Sequence, residues 1–368
     1  MKNRKKIKNK ALQKGLEKVV KLAENEIDAD IKVSVHDLTT GEIASVNGKK
    51  FGWAASIIKV PVMVSALKEI YDGDLSLKTK LPINHEFLLE HTDYVSGLPL
   101  GTKLSVAELI YHMMVTSDNE ATNILADYIG GPQTINKTMR ELGMKKSMLG
   151  HLLCSGVPRY TSKINPDGSN ITTPDDMVKV MRHIYDPNFS KLAEPIRKAA
   201  DRFFSFTSPS FLDFGGFKKK NIKAKVGHIS DHDDGSDIHE VGIINNDLIV
   251  CMMANKVKTS FLGSIFGGPT LSRYDFGDDF RDDFDDEDLM YWRNDGLATS
   301  ESFSSLSPFS IKKSDQKSSG DYQSCDTKPR KGWLNLWQDR ASRGTDVYDV
   351  YFNLMKTIKD HYDLQRDL

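Results

Sequence analysis

The apolar residues of this chain change period along its length, and the order of those changes restricts the fold more than any other feature. Leu12, Leu16, Val19, Val20, Ala23 and Ile27 recur at three- and four-residue spacing with Lys and Glu between them, which is the stripe of an amphipathic helix. Ile31, Val33 and Val35 then alternate with polar residues, 37–41 is turn chemistry, and 43–46 alternates again, as a β-hairpin does. An apolar helical stretch covers 56–73, and helical spacing continues through 105–114, 120–129, 132–142 and 174–185. Strand patterns return at 222–227, 238–245 and 247–256, around the polar turn SDHDDGS and the tight turn NND. Helix, two strands, a helical block and three strands predict an α+β fold whose antiparallel sheet takes strands from both ends of the domain.

Beyond Lys258 the pattern stops. Residues 274–288 hold nine acidic side chains and one Arg, 300–319 is rich in Ser, and the apolar residues there have no period. Helical spacing resumes in Val347, Val350, Tyr351, Leu354, Met355, Ile358 and Tyr362. The expected organisation is a basic tail over 1–10, one folded domain made of 11–257 together with 344–368, and a largely disordered acidic and Ser-rich insertion over 258–343.

Composition removes several function classes. Fifty basic and fifty-one acidic residues give a net charge of -1, which argues against a chain built to neutralise phosphates, so nucleic acid is not an expected partner. No apolar run of eighteen residues is present to span a membrane. Three cysteines, Cys154, Cys251 and Cys325, are odd in number and show no C-x-x-C spacing, so neither a disulfide framework nor a zinc site is expected. Six of the first ten residues are basic, and no secretory apolar segment follows them. The expectation is a cytoplasmic monomer, extracytoplasmic if a signal peptide was removed.

The chemistry begins at WAASIIKVPVMV, where Ser56 and Lys59 lie three apart at a helix start and share a face. A serine hydroxyl is a weak nucleophile until a base takes its proton, and lysine serves as that base when burial or a nearby cation lowers its pKa. An N-cap serine with a solvated lysine gives the same S-x-x-K pattern. Further along, Ser117, Asp118 and Asn119 fall between two helical patterns, and Lys225, Val226 and Gly227 open a strand.

In this order and spacing, S-x-x-K, S-D-N and K-x-G resemble the penicillin-recognising serine hydrolases, closest to class A β-lactamases. NITTPDDM at 170–177 and GSDIHEVGII at 235–244 extend the likeness. The resemblance implies a β-lactamase/D,D-peptidase-like α+β fold with the N- and C-terminal helices together on the sheet. It implies Ser56 as acylated nucleophile, Lys59 as its base and Ser117 as proton shuttle to the leaving nitrogen. Asn119 would hold the substrate's side-chain amide or the lysine, Lys225 and Gly227 would bind substrate, and the backbone N–H of His228 would join that of Ser56 in an oxyanion hole. The expected substrate is a small β-lactam or D-Ala-type amide, with no metal or organic cofactor.

Two departures bear on the activity. No Glu stands between Glu141 and Glu194, and the loop over 150–171 holds one carboxylate, Asp167, whereas class A enzymes use a loop glutamate to activate the deacylating water. Val226 also replaces the usual Thr or Ser, removing a hydroxyl that binds the substrate carboxylate. The rival readings are a D,D-carboxypeptidase or esterase-like hydrolase, and a slowly acylating penicillin-binding sensor. The His- and Asp-rich stretch 228–240 has no helical metal-ligand spacing and reads as a solvated turn. Cys154 reads as a small hydrophobe.

Overall fold

The computed structural model describes residues 10–27, 29–84, 94–155, 157–232, 235–257 and 347–366. The acidic and Ser-rich insertion and the basic tail expected from the sequence lie outside the described residues, apart from Lys10. Helix α1, Lys10–Glu26, leads into strands β1, Asp30–Asp37, and β2, Ile43–Val46. The chain then forms the short strand β3, Gly52–Trp53, a 3-10 turn at Ala55–Ile58 and helix α2, Lys59–Asp72. Strands β4, Lys80–Pro82, and β5, Lys103–Ser105, precede helices α3, Val106–Val115, α4, Asn119–Tyr128, and α5, Gly131–Glu141. Strand β6, Ile171–Thr172, introduces helices α6, Pro174–Tyr185, and α7, Glu194–Ser205. Strands β7, Ile222–His232, β8, Gly235–Ile244, and β9, Leu248–Val257, complete the sheet, and helix α8, Val347–Arg366, is the last described element.

The main sheet is antiparallel in the order β2-β1-β9-β8-β7, so the first and last thirds of the domain meet at the β1–β9 pair. Period-two geometry divides β9 between two cores. Leu248, Val250, Met252 and Ala254 face α1 and α8, while Ile249, Cys251 and Met253 face the helical block. A strand buried on both faces has no polar side to alternate with, which explains its unbroken apolar run. In β1 the alternation is real, with Ile31, Val33 and Val35 packed under α1 and α8. Its polar residues Lys32, Ser34 and His36 are nevertheless buried, because the helical block covers that face.

Helix α8 lies beside α1 and packs Tyr351, Leu354, Met355 and Ile358 onto the sheet. The Tyr351 hydroxyl donates to the Ile238 carbonyl, and Arg366 pairs with Asp37 at 3.1 Å and with Asp247. Three local differences from the sequence reading affect the site. The helix expected over 56–73 begins as a 3-10 turn, so Ser56 precedes α2 and Ile58 occupies its cap position. Strand β7 runs on to His232, through residues expected to form the polar turn. Helix α7, absent from the expected elements, buries Ile196, Ala199, Ala200, Phe203 and Phe204 against the block.

Candidate active site

Ser56 sits half-buried in the turn between β3 and α2. The preceding Ala55 has φ 45°, a left-handed conformation that costs an L-residue roughly 1–2 kcal/mol. Two contacts hold the approach to this turn: Ala54 N donates to Asn170 O at 2.8 Å, and His239 Nε2 donates to Trp53 O at 2.8 Å. Gly227 forms its floor. A Cβ there would lie 2.9 Å from Ser56 N and 3.0 Å from both Ala55 Cβ and Ile57 N, so a side chain would push the turn away.

Lys59 is the first residue of α2 and has no solvent exposure. Its ammonium reaches Ser117 O, Ser117 Oγ at 3.2 Å and Asn119 Oδ1 at 2.8 Å. One buried nitrogen thus joins S-x-x-K to S-D-N. The central Asp118 does structural work, since its carboxylate caps α4 through Ala121 N at 2.8 Å and accepts from Val95 N at 2.9 Å. Burial pushes that carboxyl upward, and the backbone donors and Lys59 oppose the shift. Ser117 itself has φ 61°, so two strained residues, one on each side of the pocket, present the two serines.

Lys225 lies on β7, an edge of the main sheet, opposite Val241, whose side chain faces the helical block. Cross-strand partners share a face, so Lys225 and Gly227 both point to the Ser56 side. Burial and the nearby charge of Lys59 hold the Lys225 ammonium well below the usual lysine range. Its Nζ donates to Val226 O at 3.1 Å. Val226 faces the other way and packs against the α1–α8 core.

The loop over 150–170 is tied to the pocket by residues that the sequence reading did not single out. Asn170 Oδ1 accepts from Gly150 N at 2.8 Å and His151 N at 3.1 Å. Asn123, one helical turn beyond Asn119, binds both the carbonyl and the amide of Leu153, at 3.0 and 2.7 Å. This tie holds the apolar Leu153 against α4, one helical turn beyond Asn119. Asp167 is exposed. The spacing of Asn123 from Asn119 was the available signal, although it gains meaning only once the loop is folded against α4.

The polar residues of the β7–β8 hairpin have internal tasks. Asp237 accepts from Lys256 N at 3.0 Å, and Glu240 accepts from the amides of Ser210, Phe211 and Leu212 at 2.8, 2.6 and 2.9 Å. No cluster of three metal-ligating side chains occurs among the described residues. Cys154 is exposed, where a semi-buried small hydrophobe is expected from the sequence.

Comparison with known proteins fits this geometry. The model of the "Beta-lactamase enzyme family" matches residues 11–264. Among curated relatives, β-lactamase CARB-4 of Pseudomonas aeruginosa is 25% identical over 169 residues, covering 46% of this chain and 57% of that protein. A β-lactamase of Rhodobacter capsulatus is 27% identical over 167 residues, covering 45% and 55%. The chain therefore spans less than three fifths of the length of these relatives. Among solved structures, PBP-A superposes with TM-score 0.58 at 21% identity, covering 68% of this chain and 88% of that one. An ancestral class A β-lactamase gives TM-score 0.56 at 17% identity, covering 68% and 93%. With its family model matched across most of the chain and its sheet and helices arranged as in these structures, the protein belongs to the β-lactamase enzyme family.

Proposed function

We propose that this protein is a serine acyl-hydrolase that opens a β-lactam or a related amide through an ester on Ser56. The observation that carries this reading is the fully buried Lys59 ammonium, one helical turn from Ser56 and bonded to Ser117 and Asn119. Structural explanations for these residues are weak. Ile58 and Asp118 occupy the cap positions, so neither Ser56 nor Ser117 is needed to start a helix, and a buried lysine costs desolvation energy that packing alone does not require.

In the proposed reaction Lys59 takes the Ser56 proton as the hydroxyl oxygen attacks the substrate carbonyl. Two ammonium groups in one desolvated site repel each other, and burial together with the charge of Lys59 lowers the pKa of Lys225. The backbone N–H groups of Ser56 and His228 receive the developing oxyanion. Ser117 hands a proton to the leaving nitrogen, the C–N bond breaks, and Lys59 restores the proton to Ser117 along their hydrogen bond. Lys225 offers positive charge to a substrate carboxylate, without help from a hydroxyl at position 226. The proposed substrate is a diffusible small molecule.

The loop favours a second reading of how the cycle ends. With the apolar Leu153 tied to Asn123 on α4 and Asp167, the one carboxylate of the loop, exposed, no loop carboxylate is held where it could activate a deacylating water. Slow release of the ester follows, as in a penicillin-binding protein rather than a fast β-lactamase. Intact-mass measurement after mixing with penicillins, cephalosporins and D-Ala-D-Ala peptides decides the matter. An adduct of ring-opened drug mass mapping to Ser56 supports acylation; absence of both adduct and hydrolysis with every compound overturns it.

A further inference from the structure

Behind the nucleophile lies a buried polar cluster that the proposed chemistry does not use. It joins Lys32 on β1, His239 on β8 and Asn255 on β9, with Lys32 and His239 fully buried and Asn255 5% exposed. The Lys32 ammonium pairs with Asp30 at 2.6 Å and donates to Asn255 Oδ1 at 2.7 Å. Asn255 Nδ2 reaches the Trp53 carbonyl at 3.5 Å, and His239 Nε2 contacts the same oxygen at 2.8 Å. A carbonyl oxygen only accepts, so Nε2 carries the proton. Gly52 gives this arrangement room, since a Cβ there would lie 2.2 Å from Asn255 Oδ1.

The cluster converges on the strand that delivers the nucleophile. Trp53 ends β3, and Ala54 and the strained Ala55 alone separate it from Ser56. His239 stands directly across from Gly227 in the β7–β8 ladder, and cross-strand partners point to the same face. That face supports the Ser56 turn. The turn is therefore gripped twice, by Gly227 beneath its backbone and by His239 on the carbonyl at its entrance.

Apolar residues of similar volume would hold the strands together at least as well as a buried polar network. What they could not supply is a directed hydrogen bond on one chosen carbonyl. We propose that His239 is a positioning residue for the nucleophile: by holding the Trp53 carbonyl it fixes the entry of the turn over 55–58 and so the direction of the Ser56 hydroxyl. The inference rests on the acylation reading above and assigns His239 no contact with substrate.

The test compares His239→Gln with His239→Asn. Both carry the same amide, but the Gln nitrogen reaches the place of Nε2 and the Asn nitrogen does not. Acylation by a fluorescent penicillin is followed at saturating and subsaturating concentrations, alongside thermal unfolding. His239→Asn is expected to lose roughly ten- to hundredfold in the limiting acylation rate, the scale that misplacement by about an ångström costs. The half-saturating concentration should stay within about threefold, because substrate contacts are intact. His239→Gln should retain most of the rate. Equal rates in wild type and both variants overturn the proposal, as does equal loss in both that tracks their unfolding temperatures. Should His239→Asn not fold, loss of rate by His239→Gln at wild-type unfolding temperature also overturns it, and retention of the rate supports it. A wild type that forms no ester with penicillin or with an activated ester overturns the acylation reading and this inference with it, a result distinguishable from failure of the clamp alone.

Discussion

Ser56 and Lys59 are three positions apart, so helical spacing brings them together without long-range folding, whereas Ser117, Lys225 and Gly227 arrive only through packing. That difference sets the expected effects of substitution. Ser56→Ala should abolish the penicillin adduct and leave the unfolding temperature nearly unchanged, since the half-buried hydroxyl caps no helix. Lys59→Ala should slow acylation by roughly 10²- to 10⁴-fold, the range of a general base. It should also destabilise the fold, because Ser117 and Asn119 lose a shared buried donor. Gly227→Ala should behave like a nucleophile variant that still folds: its new methyl meets Ser56 N, and stopped-flow acylation should fall at least tenfold. A wild-type rate there would mean that the floor of the turn yields freely. The S-x-x-K, S-D-N and K-x-G sets were legible because each is a short run of consecutive residues. The support beneath them was not. Lys32 and Asn255 are 223 residues apart, and Ala55 gives no sign in sequence of its left-handed backbone.

At the scale of elements, most of the periodic helices and the long strands could be read directly, while helix α7 and strands β3 to β6 could not. Two or three residues carry no period, and these strands exist because a partner segment offers them hydrogen bonds. The same tertiary packing creates a pH dependence. His183 on α6 accepts from Lys191 N through Nδ1 at 3.1 Å and donates from Nε2 to Leu142 O at 3.0 Å. Burial lowers its pKa to about 4, and burial also lowers that of His112 on α3 to about 4. Because both folded values lie below the ordinary histidine value, this contribution to stability is present above pH 6.5 and is lost as pH falls towards 4. Glu240, raised by burial to about 7, opposes the trend, favouring the folded state at low pH and losing that contribution as pH rises through 7. Denaturant titrations should show stability declining below pH 6.5, and His183→Gln should reduce the slope by up to about 1.4 kcal/mol per pH unit. An unchanged slope would place the acid sensitivity elsewhere. The loop gives a second prediction at this scale: penicillin should produce a burst followed by slow turnover, and Leu153→Glu should raise the steady rate by placing a carboxylate on the segment tied to Asn123. Identical bursts and steady rates in the two proteins would show that the tie does not aim residue 153 at the ester.

For the whole molecule, the order of the chain and the order of the core differ. Val257 at the end of β9 and Val347 at the start of α8 belong to one apolar cluster, although residues 258–346 lie between them in sequence. The periodic residues of α8 made its docking legible, since a face carrying Val350, Tyr351, Leu354, Met355 and Ile358 needs an apolar surface to cover. Which surface it covers depends on the sheet, and α1 leaves a strip of β9 and β8 open beside it. Fully burying each large apolar side chain contributes about 1.5–3 kcal/mol, so the helix supplies an amount comparable with the 5–15 kcal/mol by which a typical domain is stable. Deleting residues 344–368 should therefore give insoluble or unfolded protein despite an intact set of proposed catalytic residues. The intervening segment has the opposite expectation. Loop-closure entropy changes by only about 0.6 kcal/mol for each doubling of length, and the acidic and Ser-rich composition of this stretch offers little apolar surface to a core. Replacing residues 263–332 with a short Gly/Ser linker should leave both the unfolding midpoint and the yield of the Ser56 adduct close to wild type. If the linker variant loses its cooperative transition while the helix deletion keeps one, the last third of the chain contributes to the core through the segment and not through α8.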